Sequence, residues 1–188
     1  MKTIRTFVAI AIPDDVRAKI AELQFTLKNA GGHVSWPKPE NIHLTLKFLG
    51  DTDENLIKEI ANQLNQSVKS ISQFKIAIKG VGAFPNLKYP RVIWIGAESE
   101  GDQIRQLVSD IEARMADLGF KKENRPFSAH LTLGRVKEVK GIEPIIERLQ
   151  QTDNFEAGSF LVEDVRLIKS ELHPTGAIYT TLKKFEIK

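Results

Sequence analysis

Two stretches of the chain place apolar residues at helical spacing. Over Asp14–Asn29, Val16, Ile20, Leu23 and Leu27 fall on one face, and Gly31-Gly32 ends the pattern. Over Asp102–Leu118, Ile104, Leu107, Val108, Ile111 and Met115 do the same, ended by Gly119. Each predicted helix follows a strand-like apolar run, Arg5–Ile10 in the first case and Arg91–Gly96 in the second. Each is followed by the tetrapeptide His-Leu-Thr-Leu, at His43–Leu46 and at His130–Leu133, an offset of 87 positions. Further helical patterns, Asp53–Val68 and Ile142–Leu149, lead in turn to the β-rich runs Phe74–Ile78 and Phe160–Val165. The order β-α-β-α-β thus occurs twice, and Ala177–Ile187 supplies an extra C-terminal strand.

Periods of 20 to 50 residues indicate solenoids; two copies near 87 residues indicate a duplicated lobe. The expected fold is α+β, with two interleaved β-α-β-α-β lobes whose largely antiparallel sheets face a central cleft about a pseudo-two-fold axis. Residues 1–188 are expected to form a single domain, each lobe contributing one tetrapeptide to the cleft.

Composition narrows the chemistry. Hydrophobic residues make up 41% and charged residues 27%, an ordinary globular balance. Cysteine is absent, which excludes thiol nucleophiles, disulfides and thiolate metal sites. The net charge of +3 favours approach of a phosphate-bearing ligand without forming a strong nucleic-acid signature. The apolar run Phe7–Ile12 stops at Pro13-Asp14-Asp15, too short for a signal peptide, and nothing approaches the ~20 apolar residues that span a bilayer. A cytoplasmic protein that contacts no membrane is expected.

Strand alternation points His43, Thr45 and Lys47 to one side and Leu44, Leu46 and Phe48 to the other; His130 and Thr132 repeat the pattern against Leu131 and Leu133. Two facing lobes then converge two imidazoles and two hydroxyls on one place. That set suits phosphodiester chemistry. One neutral imidazole takes a proton from water while the other, charged, gives one to the leaving oxygen. Threonine hydroxyls donate to the non-bridging oxygens as charge shifts. No cofactor is needed. A zinc site would require a third protein ligand, and none stands beside either motif at ligand spacing.

The paired His-x-Thr-x motifs resemble those of the two-histidine (2H) phosphoesterase superfamily, and within it the RNA 2′,3′-cyclic phosphodiesterases, also called 2′-5′ RNA ligases. The resemblance extends through Arg5–Ile10, Trp36–Gly50, Gly82–Pro85, Arg91–Gly96 and Arg125–Arg135. It implies an enzyme that opens a 2′,3′-cyclic phosphate, on an RNA end or a cyclic nucleotide, to a 2′-phosphate; a monomer is expected. It implies His43 as proton donor to the leaving 3′-oxygen and His130 as the acceptor that activates water. Thr45 and Thr132 would hold the phosphate. Ala129 stands where the family often has proline, which would loosen the approach to the second strand. The alternatives are reversible 2′-5′ ligation by the same residues and a non-catalytic module that binds RNA ends.

Arg135 matches a frequent arginine of that family and is a candidate phosphate ligand. Strict alternation nevertheless puts it on the leucine face, unless a bulge at Gly134 re-aims it. Lys47 has cleft-facing parity but reads as a surface lysine. His33 and His173 read as loop histidines, and Trp36 as a packing anchor for its Pro-rich loop. Arg5 and Arg91 occupy equivalent places in the two halves, either edging the cleft or marking the exposed start of a strand.

Overall fold

The computed structural model describes residues 2–174 and 176–188. In chain order its elements are β1 (Thr3–Ala11), α1 (Asp14–Asn29), β2 (His33–Ser35), β3 (His43–Asp53), α2 (Ile57–Lys69), β4 (Phe74–Phe84) and β5 (Val92–Ser99). They continue with α3 (Gln103–Asp117), β6 (His130–Glu138), α4 (Glu143–Gln151), β7 (Glu156–Val162), β8 (Asp164–His173) and β9 (Gly176–Glu186).

Where periodicity was strong, the elements follow it. Helix α1 buries Val16, Ile20, Leu23 and Leu27, with Asp14 and Asp15 in its first turn, where carboxylates complement the helix dipole. Helix α3 buries Ile104, Leu107, Val108, Ile111 and Met115. Ahead of α2, the Asp53 carboxylate accepts from the Asn55 N–H at 3.0 Å. This turns Glu54–Leu56 into a short 3₁₀ segment, so the regular helix begins later than its pattern.

The strands form two antiparallel sheets. One has the order β3-β1-β8-β9 and the other β2-β6-β5-β4-β7. Helices α2 and α3 pack on the first sheet and α1 on the second, with α4 against α1. Each sheet therefore draws on both halves of the chain: α1 crosses to cover β6 and β7, and α3 crosses to cover β3. The bilobal α+β arrangement expected from the duplication is the one observed. Strands β3 and β6 approach one another, each bearing one of the repeated tetrapeptides. Among the described residues no helix is long and apolar enough to cross a membrane.

Three expectations need correction. The run Phe160–Val165 is not one strand: β7 ends at Val162 and β8 begins at Asp164. Val162 and Val165 are both buried but serve different sheets, Val162 against Phe74 and Val165 against Phe185. Since β4 lies beside β5 and β8 beside β1, the structural counterpart of β4 is β8, not the run that follows α4 directly. His33 lies in β2, opposite Glu138, with which it pairs on the surface at 3.2 Å. His173 closes β8.

A single apolar core runs between the helices and both sheets. A separate cluster of Phe7, Ala9 and Ile168, with Tyr179 against it, sits elsewhere on the first sheet. It forms the floor on which the first tetrapeptide rests.

Candidate active site

Both tetrapeptides end in a β-bulge at the same offset from their histidine. Along β3, Thr45 pairs with Ala9 but Lys47 with Val8, so Leu46 is the extra residue. Along β6, Thr132 pairs with Trp94 but Gly134 with Ile93, so Leu133 is extra. A bulge reverses the facing of every later side chain. Lys47 accordingly turns from cleft to core, and Phe48 turns out to the cleft. Gly134 turns inward, and Arg135 turns out.

Each bulge is tied by a hydrogen bond to the helix that crosses from the other half. The Lys47 side chain, 3% exposed, donates to Glu112 of α3 at 2.7 Å and to the Lys121 carbonyl at 3.0 Å. It is not the surface lysine its position suggested. The Leu133 carbonyl in the other bulge accepts from Gln24 of α1 at 2.9 Å, and Gln24 also donates to the Pro37 carbonyl at 3.1 Å. Gly134 is pressed so closely that a Cβ there would stand 2.7 Å from Val34 Cγ1 and 3.0 Å from the Trp36 ring. Only glycine fits. Trp36 is thus the packing anchor expected.

The outward residues differ. Arg135 is exposed on the cleft side, which resolves its facing as the bulge alternative allowed. Its equivalent Phe48 is 65% exposed, its ring 6.1 Å from that of Phe7.

The histidines are held alike. His43 Nδ1 lies 2.8 Å from the Asn41 carbonyl, and His130 Nδ1 lies 2.7 Å from the Ser128 carbonyl. A carbonyl only accepts, so in both rings Nδ1 carries a hydrogen. Each Nε2 is then a lone pair when the ring is neutral and a donor when it is charged. The Asn41 side chain also donates to the Ala177 carbonyl at 2.8 Å, tying the approach to β3 onto β9. On the other side the Ala129 carbonyl accepts from Ala97 at 3.1 Å, so the approach to β6 is tied without proline.

Their surroundings differ. The His43 ring stacks on Phe7 at 4.6 Å and meets Tyr179 edge-on at 5.2 Å. Desolvation by this burial lowers its pKa, against the opposing hydrogen bond to Asn41. His130 meets only the edge of Phe84, at 4.9 Å, among described aromatic rings. Burial pushes the Tyr179 hydroxyl upward, while the guanidiniums of Arg135 and Arg5 act to lower it. Arg135, on the second sheet, therefore lies electrically close to a tyrosine of the first.

Thr45 and Thr132 are half-buried beside their histidines, and neither hydroxyl has an intramolecular hydrogen-bond partner among the described residues. Trp94, opposite Thr132, lies flat over Gly82, where a Cβ would stand 2.4 Å from the indole. Arg91 precedes β5, its backbone bonded to Phe84 and Val136. Among the described residues no three of His, Asp and Glu gather as metal ligands would. Tyr179, Asn41, Gln24 and Glu112 were not singled out in the sequence. Asn41 and Ser128 act through backbone carbonyls, which any residue type supplies. Their only sequence signal is the shared position two residues before a histidine.

A model of the LigT-like phosphoesterase family matches the chain twice, over residues 10–94 and 95–179, one tetrapeptide in each match. A protein of Methanothermobacter thermautotrophicus named RNA 2′,3′-cyclic phosphodiesterase is 36% identical over 98% of this chain and 99% of its own length. One of the same name from Archaeoglobus fulgidus is 39% identical over 97% of this chain and 100% of its own. Among solved structures, a Thermus thermophilus protein superposes with a TM-score of 0.82 at 29% identity, covering 98% of both chains. E. coli LigT, crystallised with 3′-AMP, superposes with a TM-score of 0.76 at 26% identity, covering 100% of this chain and 99% of its own.

Proposed function

The chain belongs to the LigT-like phosphoesterase family, and we propose that it is a metal-independent RNA 2′,3′-cyclic phosphodiesterase. The substrate is a 2′,3′-cyclic phosphate at an RNA end or on a nucleotide, and the product a 2′-phosphate. The observation that carries this reading is the matched fixing of His43 and His130 through Nδ1, which leaves two Nε2 atoms free for proton transfer.

The reaction needs one of each kind. His130 Nε2 accepts a proton from water as the water oxygen bonds to phosphorus. The bond from phosphorus to the 3′-oxygen breaks, and His43 Nε2 gives that oxygen its proton. The 2′-ester bond remains, so a 2′-phosphate and a free 3′-hydroxyl result. Thr45, Thr132 and Arg135 hold the non-bridging oxygens, whose charge redistributes in the transition state. Assigning the donor role to His43 agrees with its burial: a histidine of lowered pKa is the stronger acid once protonated.

The test is turnover of a nucleoside 2′,3′-cyclic phosphate. His130→Ala should lose at least about a hundredfold in kcat while still binding the 2′-phosphate product. His43→Ala should lose as much but recover in part with a substrate whose leaving group needs no proton, a recovery His130→Ala should not show. Undiminished turnover in His130→Ala overturns the reading. The opposite rescue pattern exchanges the two roles.

A further inference from the structure

The first sheet carries, on the same side as His43, a polar row that the proposed reaction leaves unused. Arg5 of β1 pairs with Ser170 of β8, and Ser170 pairs with Tyr179 of β9, so the three stand side by side across three strands. Arg5 shares its face with Phe7, two residues on, whose ring supports His43. Tyr179 itself touches both Phe7 and His43, so the row borders the site directly.

Among the described residues Arg5 forms no ion pair, although Asp51 is its neighbour in β3. The other cations of that face have a carboxylate partner, which they share: Arg166 pairs with Asp164 at 2.7 Å, and Lys184 lies 3.2 Å from the same carboxylate. Across the cleft Arg135 is likewise free of ion pairs among the described residues, and it acts on the same tyrosine as Arg5. An anion bound beside Tyr179 would meet positive charge from both sheets. Ser170 and Tyr179 add hydroxyls suited to phosphate oxygens. Leu172, 72% exposed and next along β8 on that face, offers an apolar surface to a base.

We propose that Arg5, Ser170 and Tyr179 form a subsite for the phosphodiester that joins the terminal nucleotide of an RNA to its 5′ neighbour. The inference rests on the cyclic phosphodiesterase reading. Arg135 marks the junction, with the reacting phosphate on one side and the next phosphate of the strand on the other. The enzyme then favours an RNA end over a mononucleotide through binding, because the second phosphate takes no part in bond making.

Three substrates test this with the intact protein: a nucleoside 2′,3′-cyclic phosphate, a dinucleotide ending in the same group, and that dinucleotide with an uncharged methylphosphonate linkage. The dinucleotide should exceed the mononucleotide about tenfold in kcat/KM, as one charged contact supplies, with the gain mainly in KM. The methylphosphonate should erase the gain, and Arg5→Gln should bring the ratio near one. With rising salt, the dinucleotide should lose affinity more steeply than the mononucleotide, by a slope of about 0.7 per added phosphate contact. Equal kcat/KM for all three substrates, or a ratio that survives Arg5→Gln, overturns the subsite while leaving the enzyme assignment intact. Failure to open any of the three removes the phosphodiesterase reading, and the subsite with it.

Discussion

His43 and His130 make the same hydrogen bond and sit in different surroundings, and the difference has a kinetic consequence. Burial lowers the pKa of His43 in the free protein. As proton donor it must start charged, so the high-pH limb of kcat/KM should fall below the ordinary histidine value of about 6.5. Bound phosphate restores some of the lost stabilisation of the imidazolium, so the same limb in kcat should lie at higher pH. Profiles of the two parameters on one substrate check this. Coincident limbs would show that the bound phosphate does not act on the donor, and a lowered limb on the acid side would make His43 the base. The histidines and threonines were legible because the tetrapeptide is written twice and alternation is reliable over so short a run. Tyr179 was not, since its place beside His43 comes from the pairing of β9 with β8 and of β8 with β1. Nothing near either tetrapeptide announces that.

At the scale of the element, the bulges decide what the cleft contains. Alternation failed one residue past each tetrapeptide, at Lys47 and Gly134, for the same reason: an extra leucine shifts the register. In β6 the glycine hinted at it. In β3 the bulge is marked by a lysine, which looks like surface until its partner Glu112, 65 positions away, is known. That pair makes a prediction. Removing the carboxylate leaves the Lys47 ammonium buried without a counter-charge, so Glu112→Ala should destabilise the protein by about 3 kcal/mol in denaturant unfolding. The double variant Lys47→Met with Glu112→Ala should recover most of that loss, because no charge is then buried. Equal losses in the single and double variants would show that Glu112 matters for packing and not for the pair. The bond from Gln24 to the Leu133 carbonyl performs the neutral version of the same task in the other half.

Across the whole molecule, the duplication and an interleaving of its lobes were legible, but which elements exchange was not. Equal spacing of the two tetrapeptides revealed two copies, but periodicity does not say which sheet a helix covers. The copies do not fold side by side: α1 covers the sheet containing β6, α3 covers β3, β4 joins the sheet of β5, and β8 and β9 return to β1. Neither sheet with its helices can be assembled from one copy. The two lobes should therefore unfold together. Near-ultraviolet and far-ultraviolet circular dichroism and loss of activity should trace one coincident transition in denaturant, with a slope m appropriate to all 188 residues. A fragment ending after β5 should lack native circular dichroism, since it holds strands of both sheets and completes neither. Two resolved transitions, or a folded fragment, would mean that each lobe carries a core of its own. The single apolar cluster running through both sheets argues against it: Leu44 and Leu46 of one tetrapeptide and Leu131 and Leu133 of the other are buried in the same continuous interior. The strands that carry the two histidines thus share one core, and their separation is set by that packing.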